Sequence, residues 1–244
     1  MHLGVDIGNT RTKIAVYEKD MITNVIFSDT ENFHEKIIEI SKTYPSIQKI
    51  ILSSVGFLSS SQEDLLKTNY QLVKITHQSK FPFTNEYQTP ETLGIDRMVL
   101  AAGASLRFPN KNILVIDTGT AITYDFIAAD KKYLGGAISP GVDLRFKSLN
   151  DYTAKLPRLH ANEHVSLVGK TTQHSIESGV INGTVAEIDG IINSYLNEYH
   201  TLTIILTGGD ADFLSKRLKN TIFVESFFLL ESLNRLYHYI QTYD

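Results

Sequence analysis

The stretch HLGVDIGNTRTKIAVY, residues 2–17, decides the fold of this chain. It begins as an apolar, β-branched run, reaches Asp6, crosses a Gly-Asn pair and continues as alternating apolar residues. This pattern is typical of a tight β-hairpin. Gly8 and Asn9 tolerate a positive φ, so the turn can bring several backbone N–H groups to one side of the bend. The sequence therefore predicts a hairpin whose first strand ends on a carboxylate.

The polar residues of this hairpin suggest a ligand. Thr10 and Thr12 supply hydroxyls and Lys13 supplies a cation close to Asp6. Backbone N–H groups, hydroxyls and a cation together suit a polyphosphate accompanied by a divalent metal ion. A simple turn next to a strand-end carboxylate is the alternative interpretation of this stretch when it is taken alone.

A similar device occurs a second time. Residues 112–127, NILVIDTGTAITYDFI, again run from an apolar strand through Asp117 and a Gly-Thr turn into an alternating strand. Two Asp-x-Gly turns with threonine close behind indicate two related lobes facing a shared cleft. We expect the lobes to comprise residues 1–111 and 112–244.

Composition limits the functions to consider. The chain has 244 residues, 42% of them apolar, and a net charge of −4 with a pI near 6.1. It has no basic field for nucleic acid and no apolar run of the ~20 residues that span a bilayer. The absence of cysteine removes disulfides and thiolate chemistry. We expect a cytoplasmic protein whose partners are neither nucleic acid nor membrane.

Hydrophobic periodicity predicts alternating strands and helices in both lobes. The first lobe is predicted to continue with strands at 21–27, 49–55 and 71–75 and helices at 30–44, 59–68 and 94–107, with residues 76–94 otherwise a loop. The second is predicted to hold strands at 112–117, 120–127, 132–137 and 202–206, and helices at 142–149, 213–218 and 229–240, with residues 150–168 irregular. Residues 170–199 are predicted to form one long helix or two in succession.

Small residues form a stripe on the long predicted helix at 170–199. Gly179, Gly183, Ala186 and Gly190 are spaced by three or four residues. Each interior glycine costs a helix about 1 kcal/mol, so the stripe suggests that another backbone approaches closely. An internal contact and a subunit interface both fit this pattern.

A second informative motif is Gly94-Ile95-Asp96-Arg97, at the predicted start of a helix. The first turn of a helix favours an ionised carboxylate, because its backbone N–H groups and dipole are positive there. Helix capping with a surface Asp-Arg pair explains the motif in isolation.

Taken together, these motifs resemble a known family. The two hairpins are similar to the phosphate-binding hairpins of the superfamily of acetate and sugar kinases, Hsp70 and actin. The run from Tyr87 through Gly94-Ile95-Asp96-Arg97, then D-T-G-T-A at Asp117, G-G-A-I-S-P-G at 135–141 and T-G-G at 207–209 resembles type III pantothenate kinase. The resemblance covers most of the chain and implies an α/β fold of two ribonuclease-H-like lobes, the actin-like ATPase fold, around a central nucleotide cleft.

The resemblance implies a role for each matching residue. Asp96 would be the general base for the hydroxyl of pantothenate, and Asp6 would lie near Mg²⁺, acting through phosphate or water. Asp117 would bind a monovalent cation, K⁺ or NH₄⁺. The implied ATP contacts are Asp6, Ile7, Gly8, Asn9, Thr10, Arg11, Thr12, Lys13 and Thr120. The implied pantothenate contacts are Tyr87, Gly94, Ile95, Asp96, Arg97 and Thr172, the last in the G-x-x-T segment at 169–172.

The family also forms homodimers, which favours a subunit contact through the helical region 170–199. The implied activity is phosphorylation of pantothenate by ATP, the first step of coenzyme A synthesis. Two alternatives remain at this point: a kinase for another small hydroxylated metabolite, and a non-catalytic nucleotide-binding accessory factor with the same fold.

Overall fold

The computed structural model describes residues 1–8, 11–55 and 58–243. Asn9 and Thr10, predicted to contact ATP, lie outside the described residues. The chain divides into two compact units. The first comprises Met1–Pro109, Lys131–Tyr133 and Phe227–Asp244, and the second comprises Asn110–Asp130 and Leu134–Ser226.

The first unit is built on a five-stranded sheet. Its strands are β1 (His2–Ile7), β2 (Arg11–Glu18), β3 (Met21–Asp29), β4 (Lys49–Ser54) and β5 (Gln71–Lys74), and its helices are α1 (Phe33–Thr43), α2 (Ser60–Asn69) and α3 (Ile95–Arg107). The order across the sheet is β3-β2-β1-β4-β5. The first three strands are antiparallel, and β4 and β5 run parallel to β1. The predicted hairpin at 2–17 is confirmed.

The two faces of this sheet differ in chemistry because side chains alternate along a strand. One face carries Leu3, Val5 and Ile7, which are fully buried in an apolar core with α1 and α2. The opposite face carries His2, Gly4 and Asp6 on the same strand. The polar face therefore holds the carboxylate at the end of β1.

The last helix of the chain belongs to the first unit. Helix α7 (Phe228–Tyr243) packs against α3, and Tyr17 donates a hydrogen bond to the carbonyl of Leu230 at 2.7 Å. A Cβ on Gly103 would lie 1.9 Å from the hydroxyl of Ser232, so α3 needs glycine at this crossing. This grouping differs from the predicted boundaries, 1–111 and 112–244, which stay a prediction.

The second unit contains the other main sheet. Its strands are β7 (Ile113–Thr118), β8 (Ala121–Ile127), β9 (Lys132–Pro140), β10 (Thr203–Thr207) and β11 (Phe223–Val224), and its helices are α4 (Val142–Asp151), α5 (Thr172–Tyr199) and α6 (Ala211–Ser215). The strand order is β11-β10-β7-β8-β9. The short β6 (Thr84–Asn85) pairs with Lys132 and Tyr133, the residues of β9 that group with the first unit.

Helix α5 organises the core of the second unit. It is one helix of 28 residues over most of the predicted 170–199 range. Its buried Ile181, Ile188 and Ile192 pack with the apolar residues of β7, β8 and β10. None of the described helices is long and apolar enough to cross a membrane.

The sequence missed two short strands, β6 and β11, each of two residues. A strand of two residues is too short to show a hydrophobic pattern, so it can be recognised only from its pairing with a neighbouring strand. The helix predicted at 213–218 instead begins at Ala211, directly after the turn that follows β10.

Candidate functional site

The end of β1 places a buried carboxylate among polar neighbours. Asp6 is only 4% exposed, and the hydroxyl of Ser53 donates to its Oδ1 at 3.3 Å. Lys13 lies directly opposite Asp6 in the β1–β2 ladder, and Ser53 lies opposite it in the β1–β4 ladder. Directly opposed residues share a face of the sheet. Ser53 is a site residue that the sequence analysis missed, although it ends a buried strand parallel to β1.

The turn after Asp6 is closed by backbone hydrogen bonds. The Gly8 N–H donates to the Arg11 carbonyl at 3.1 Å, and the Thr30 hydroxyl donates to the Gly8 carbonyl at 3.1 Å. Gly8 does not take a positive φ. Glycine is needed there because a Cβ would lie 2.9 Å from the Arg11 carbonyl oxygen.

The predicted ATP contacts of this hairpin point in different directions. The side chains of Ile7 and Thr12 are fully buried, whereas Arg11 is exposed. Ile7 and Thr12 can therefore contact a ligand only through their backbone in this conformation. Asp6, Lys13 and Arg11 offer charged side chains.

Helix α3 begins immediately before the second acid. Gly94 is the N-cap, and the backbone N–H of Arg97 donates to Asp96 Oδ1 at 2.8 Å. A Cβ on Gly94 would lie 2.4 Å from that oxygen, so the carboxylate folds back over the glycine. Burial raises the pKa of Asp96, and the Arg97 N–H and the charges of Arg97 and Lys13 oppose that rise. Lys13 and Asp96 thus interact electrostatically within the first unit.

Arg97 and Tyr87 form the wall next to Asp96. Arg97 is 6% exposed, and its guanidinium lies 5.8 Å from the centre of the Tyr87 ring. Ile95 is also buried, at 7% exposure. His77 donates from Nε2 to the carbonyl of Leu93 at 2.8 Å and so holds the residue that precedes Gly94. His77 carried no recognisable motif in the sequence.

The second hairpin ends in a different environment. Asp117 lies opposite Thr123 in the β7–β8 ladder, and its Oδ1 lies against the turn after β10. Gly208 has a φ of +99°, and a Cβ there would lie 2.4 Å from Asp117 Oδ1. The hydroxyl of Thr118 donates to the Thr207 carbonyl at 2.8 Å. The Asp117 carboxylate therefore packs closely against a turn that requires glycine at position 208.

Thr120 lies in the turn of this hairpin and is exposed. Its carbonyl accepts a hydrogen bond from the Gly141 N–H at 3.0 Å. A Cβ on Gly141 would lie 2.1 Å from the Gly119 carbonyl oxygen, so the G-G-A-I-S-P-G segment must end in glycine to reach the turn. The start of α4 is thereby attached to the hairpin.

The oxygen donors of both hairpins suit hard cations. Mg²⁺ is usually bound by one or two carboxylates together with substrate phosphates and water. Asp6, with the Ser53 hydroxyl beside it, fits that donor set. Among the described residues, no three His, Cys, Asp or Glu side chains form a metal cluster. The fit therefore applies to a metal ion that arrives with a phosphate ligand.

Thr172 is the first residue of α5, in the second unit. It lines a cavity of about 970 Å³ between α4 and the start of α5. The floor of the cavity is apolar, formed by Leu149, Leu156, Ile176 and Val180. Arg145, Lys170 and Thr171 belong to its polar part.

A polar network beside this cavity was also missed. Glu187 of α5 accepts hydrogen bonds from Tyr124 at 2.9 Å and from Ser139 and Arg145 at 2.5 Å each. Burial raises the pKa of Glu187, but these three donors outweigh it and the net pKa is lowered. Burial and the Glu187 charge raise the pKa of Tyr124. The three partners are 42 to 63 residues from Glu187 in sequence, so no local sequence pattern predicts the network.

Solved structures with a similar fold define the class. A glucokinase from an Antarctic psychrotroph has a TM-score of 0.52 at 13% identity, covering 97% of this chain and 98% of its own. A protein described as a Baf family transcriptional activator, from Campylobacter jejuni, has a TM-score of 0.68 at 23% identity, covering 98% and 99%. The chain has the two-lobed actin-like ATPase fold shared with sugar kinases, which confirms the predicted fold class.

Sequence relatives define the family more narrowly. The family model for type III pantothenate kinase matches residues 2–194. Proteins named type III pantothenate kinase are 48% identical in Flavobacterium johnsoniae, covering 98% of both chains, and 49% identical in Flavobacterium psychrophilum, covering 98% of this chain and 99% of the relative. The chain belongs to the type III pantothenate kinase family, as the motifs predicted.

Proposed function

We propose that this protein transfers the γ-phosphoryl group of ATP to the primary hydroxyl of pantothenate, the first step of coenzyme A biosynthesis. The observation that carries the proposal is family membership at 48–49% identity over nearly the whole chain. Phosphoryl transfer needs positioning and charge neutralisation more than covalent help. Asp6 and Asp96 are carboxylates suited to a metal ligand and a base, and Lys13 and Arg11 are cations suited to binding phosphate.

Asp96 is the proposed general base. Its carboxylate is fixed by the Arg97 N–H at 2.8 Å, and burial raises its pKa toward a value useful for accepting a proton. In this role it accepts the proton of the pantothenate hydroxyl as the phosphoryl group arrives. Its oriented position in the first turn of α3 supports this assignment.

The first hairpin and Thr120 are proposed to hold ATP. Lys13 and Arg11 offer cations to the phosphates, and the backbone from Ile7 to Thr12 offers N–H groups. Asp6 is proposed to hold Mg²⁺ through phosphate or water, and when bound the ion neutralises phosphate charge. Asn9 and Thr10 complete the proposed ATP contacts, as the sequence predicts.

Asp117 is proposed to bind K⁺ or NH₄⁺. The residue opposite it in the ladder, Thr123, is neutral, whereas the residue opposite Asp6 is Lys13. A cation from solution would offset negative charge at the second hairpin. The oxygen-rich surroundings of Asp117, next to the Thr207 and Gly208 backbone, support this role.

Tyr87, Gly94, Ile95, Asp96, Arg97 and Thr172 are proposed to contact pantothenate. Arg97 is buried and stacked near Tyr87, which supports a fixed role rather than a surface ion pair. Ile95 is buried, so its contact would come from the backbone. Thr172 is proposed to contribute from the cavity beside α5.

The protein is proposed to form a homodimer through the helical region 170–199 and to work in the cytoplasm. Gly179, Gly183 and Gly190 are exposed, and a Cβ built on each meets no described atom within 4 Å. The stripe therefore has no close internal neighbour among the described residues. This supports the subunit contact over the internal contact.

A coupled assay of ADP release tests the proposal. Purified protein with Mg-ATP should release ADP when pantothenate is added, and should not do so with a panel of sugars, acetate and other hydroxylated metabolites. Preference for another acceptor would favour the alternative kinase. ATP binding without acceptor-dependent release would favour an accessory factor.

A further inference from the structure

A histidine links the sheet of the first unit to the start of α3. Ile75, which directly follows β5, is buried, and its N–H donates to the Leu52 carbonyl of β4 at 2.8 Å. Two residues further on, His77 Nε2 donates to the Leu93 carbonyl at 2.8 Å. A carbonyl oxygen can only accept, so the ring carries a proton on Nε2. The residue before the N-cap of α3 is therefore attached to the edge of the sheet.

The turn that carries His77 is itself closed by hydrogen bonds. The Thr76 N–H donates to Ser79 Oγ at 3.0 Å, and the Ser79 N–H donates to the Thr76 carbonyl at 3.0 Å. The Gln78 N–H also donates to Thr76 Oγ1, at 3.3 Å. His77 is half-buried on this turn. Its Nε2 therefore has a defined position relative to β5, from which it can fix the position of an acceptor.

The chain needs such a fixed point because glycine lies between Leu93 and the acid. A Cβ on Gly94 would lie 2.4 Å from Asp96 Oδ1, so a side chain there would displace the carboxylate. Glycine has the widest backbone freedom of any residue. Leu93 and Ile95 are buried on either side of it, at 1% and 7% exposure. Apolar packing is non-directional, however, and does not set how the Leu93–Gly94 peptide is turned.

The His77 hydrogen bond supplies that missing direction. A peptide unit is planar, so holding its carbonyl oxygen also fixes the orientation of the N–H at Gly94. The same sheet carries Asp6, which lies opposite Ser53 of β4 in the ladder. Both acids of the first unit are thus held relative to one sheet, Asp6 by its strand and Asp96 through His77 and Leu93.

We infer that His77 is a positioning residue for phosphoryl transfer, because it holds the Leu93 carbonyl and so fixes Asp96 relative to the strand that carries Asp6. The inference rests on the proposed function, in which Asp96 is the general base. In this role His77 acts through the backbone at 93–96 and not on the substrate. The competing explanation is that His77 only satisfies the Leu93 carbonyl and contributes to stability.

The test measures ADP release with pantothenate in three variants of His77. His77→Ala should lower kcat about tenfold and leave the KM for ATP within about twofold, since a small misplacement of a catalytic group slows the chemical step. His77→Gln should keep kcat within about threefold of wild type, because the glutamine Nε2 can take the place of the ring Nε2. His77→Asn has a side chain one methylene shorter, cannot reach the carbonyl and should behave like His77→Ala.

A matched control separates positioning from stability. Tyr17→Phe removes another hydrogen bond from a side chain to a backbone carbonyl in the first unit, the bond from the Tyr17 hydroxyl to Leu230 at 2.7 Å. Urea unfolding should show a lower midpoint for both Tyr17→Phe and His77→Ala. Only His77→Ala should lose kcat, because only that variant releases the peptide before Gly94.

The pH profile gives a second readout that a stability role would not change. Burial is the largest influence on the pKa of Asp96 and raises it, against the Arg97 N–H and the charges of Arg97 and Lys13. A loosened chain at 93–96 exposes the carboxylate to water, which lowers that pKa. The acid limb of kcat/KM should therefore move to lower pH in His77→Ala, and should stay in place in His77→Gln and Tyr17→Phe.

The outcomes distinguish the inference from the function beneath it. The inference is overturned if His77→Ala and His77→Asn keep the wild-type kcat, if Tyr17→Phe loses as much kcat as His77→Ala, or if His77→Gln is no faster than His77→Asn. Should His77→Ala not fold, the comparison of the Gln and Asn variants decides alone. Wild-type protein that releases no ADP with pantothenate would overturn the proposed function, and the inference with it.

Discussion

The two hairpins look alike in sequence but differ by one residue in their turns. In the first, Ile7 pairs with Thr12 and Asp6 pairs with Lys13. In the second, Thr118 pairs with Ile122 and Asp117 pairs with Thr123. The first turn therefore has four residues between its last pair and the second has three. Because of this difference, a cation faces the first carboxylate and a hydroxyl faces the second.

A difference of one residue in turn length therefore places different partners opposite the two carboxylates. The first unit brings its own cation, Lys13, to Asp6 and also to Asp96, whose pKa Lys13 helps to lower. The second unit places Asp117 against the glycine turn at Gly208 and opposite a neutral residue, Thr123. We therefore expect the two hairpins to respond differently to mutation and to salt.

The largest effect should come from Asp96, the proposed general base in the first turn of α3. Asp96→Asn should lower kcat about 10³-fold, within the range for loss of a general base, while ATP binding persists. Glu35→Gln, which removes an exposed acid from the first turn of α1, is the matched control and should keep full activity. Steady-state kinetics and ATP titration measure both; a kcat within threefold of wild type would remove Asp96 as the base.

A second test asks whether Asp117 depends on a cation from solution. Replacing K⁺ by Na⁺ should raise the KM for ATP at least about tenfold, because the smaller ion fits the same oxygens poorly. Asp117→Asn should show the higher KM in both salts and so lose the difference between them. Equal activity of the wild-type enzyme in K⁺ and Na⁺ would contradict the proposed cation role of Asp117, and with it the difference between the two hairpins.

Lys13 should produce an intermediate effect with a signature in pH. Lys13→Gln should raise the KM for ATP about fivefold, as expected for a partly exposed phosphate contact. The positive charge lowers the pKa of Asp96, so its removal should raise that pKa. A general base acts in its ionised form, so if Asp96 is the base, the acid limb of kcat/KM should move to higher pH. Lys42→Gln, an exposed lysine at the end of α1, should leave the pH profile unchanged.

The smallest effect concerns the other end of the strand that carries Asp6. His2 stacks on Tyr17 and donates to Asn234 at 2.8 Å, and burial lowers its pKa from 6.5 despite Asn234 and Asp20. The unfolded chain therefore takes up a proton below pH 6.5 that folded His2 resists, so stability falls as pH drops through that range. Urea unfolding at pH 7.5 and 5.5 should show a smaller loss in His2→Gln than in wild type or in the exposed control His174→Gln.

Local signals in the sequence were sufficient for the framework of both units. The strand-turn-strand pattern around Asp6 and Asp117 and the helix start at Gly94 depend on neighbouring residues, and the structure has them where predicted. Apolar periodicity also predicted helix over 170–199, as one helix or two, and the structure has a single helix there. Such features are set within a dozen residues, so a single sequence contains them.

Features that depend on distant contacts could not be predicted in this way. Ser53 lies 47 residues from Asp6, and its role depends on the parallel register of β1 and β4. The bonds from Glu187 to Tyr124, Ser139 and Arg145 join three other elements of the second unit. The roles of individual site residues came from resemblance to a family and not from the physics of the pattern.

The packing of α7 on α3 has a consequence for biosynthesis. Residues 1–109 leave the ribosome long before residues 228–243, yet Tyr17 and Gly103 reach their partners only in that last helix. The face of the first sheet that carries Ala15 and Tyr17, which pack on Leu230 of α7, must therefore stay partly uncovered while the whole second unit is translated. A nascent chain of this protein should bind chaperones through that face, and release should coincide with the end of synthesis.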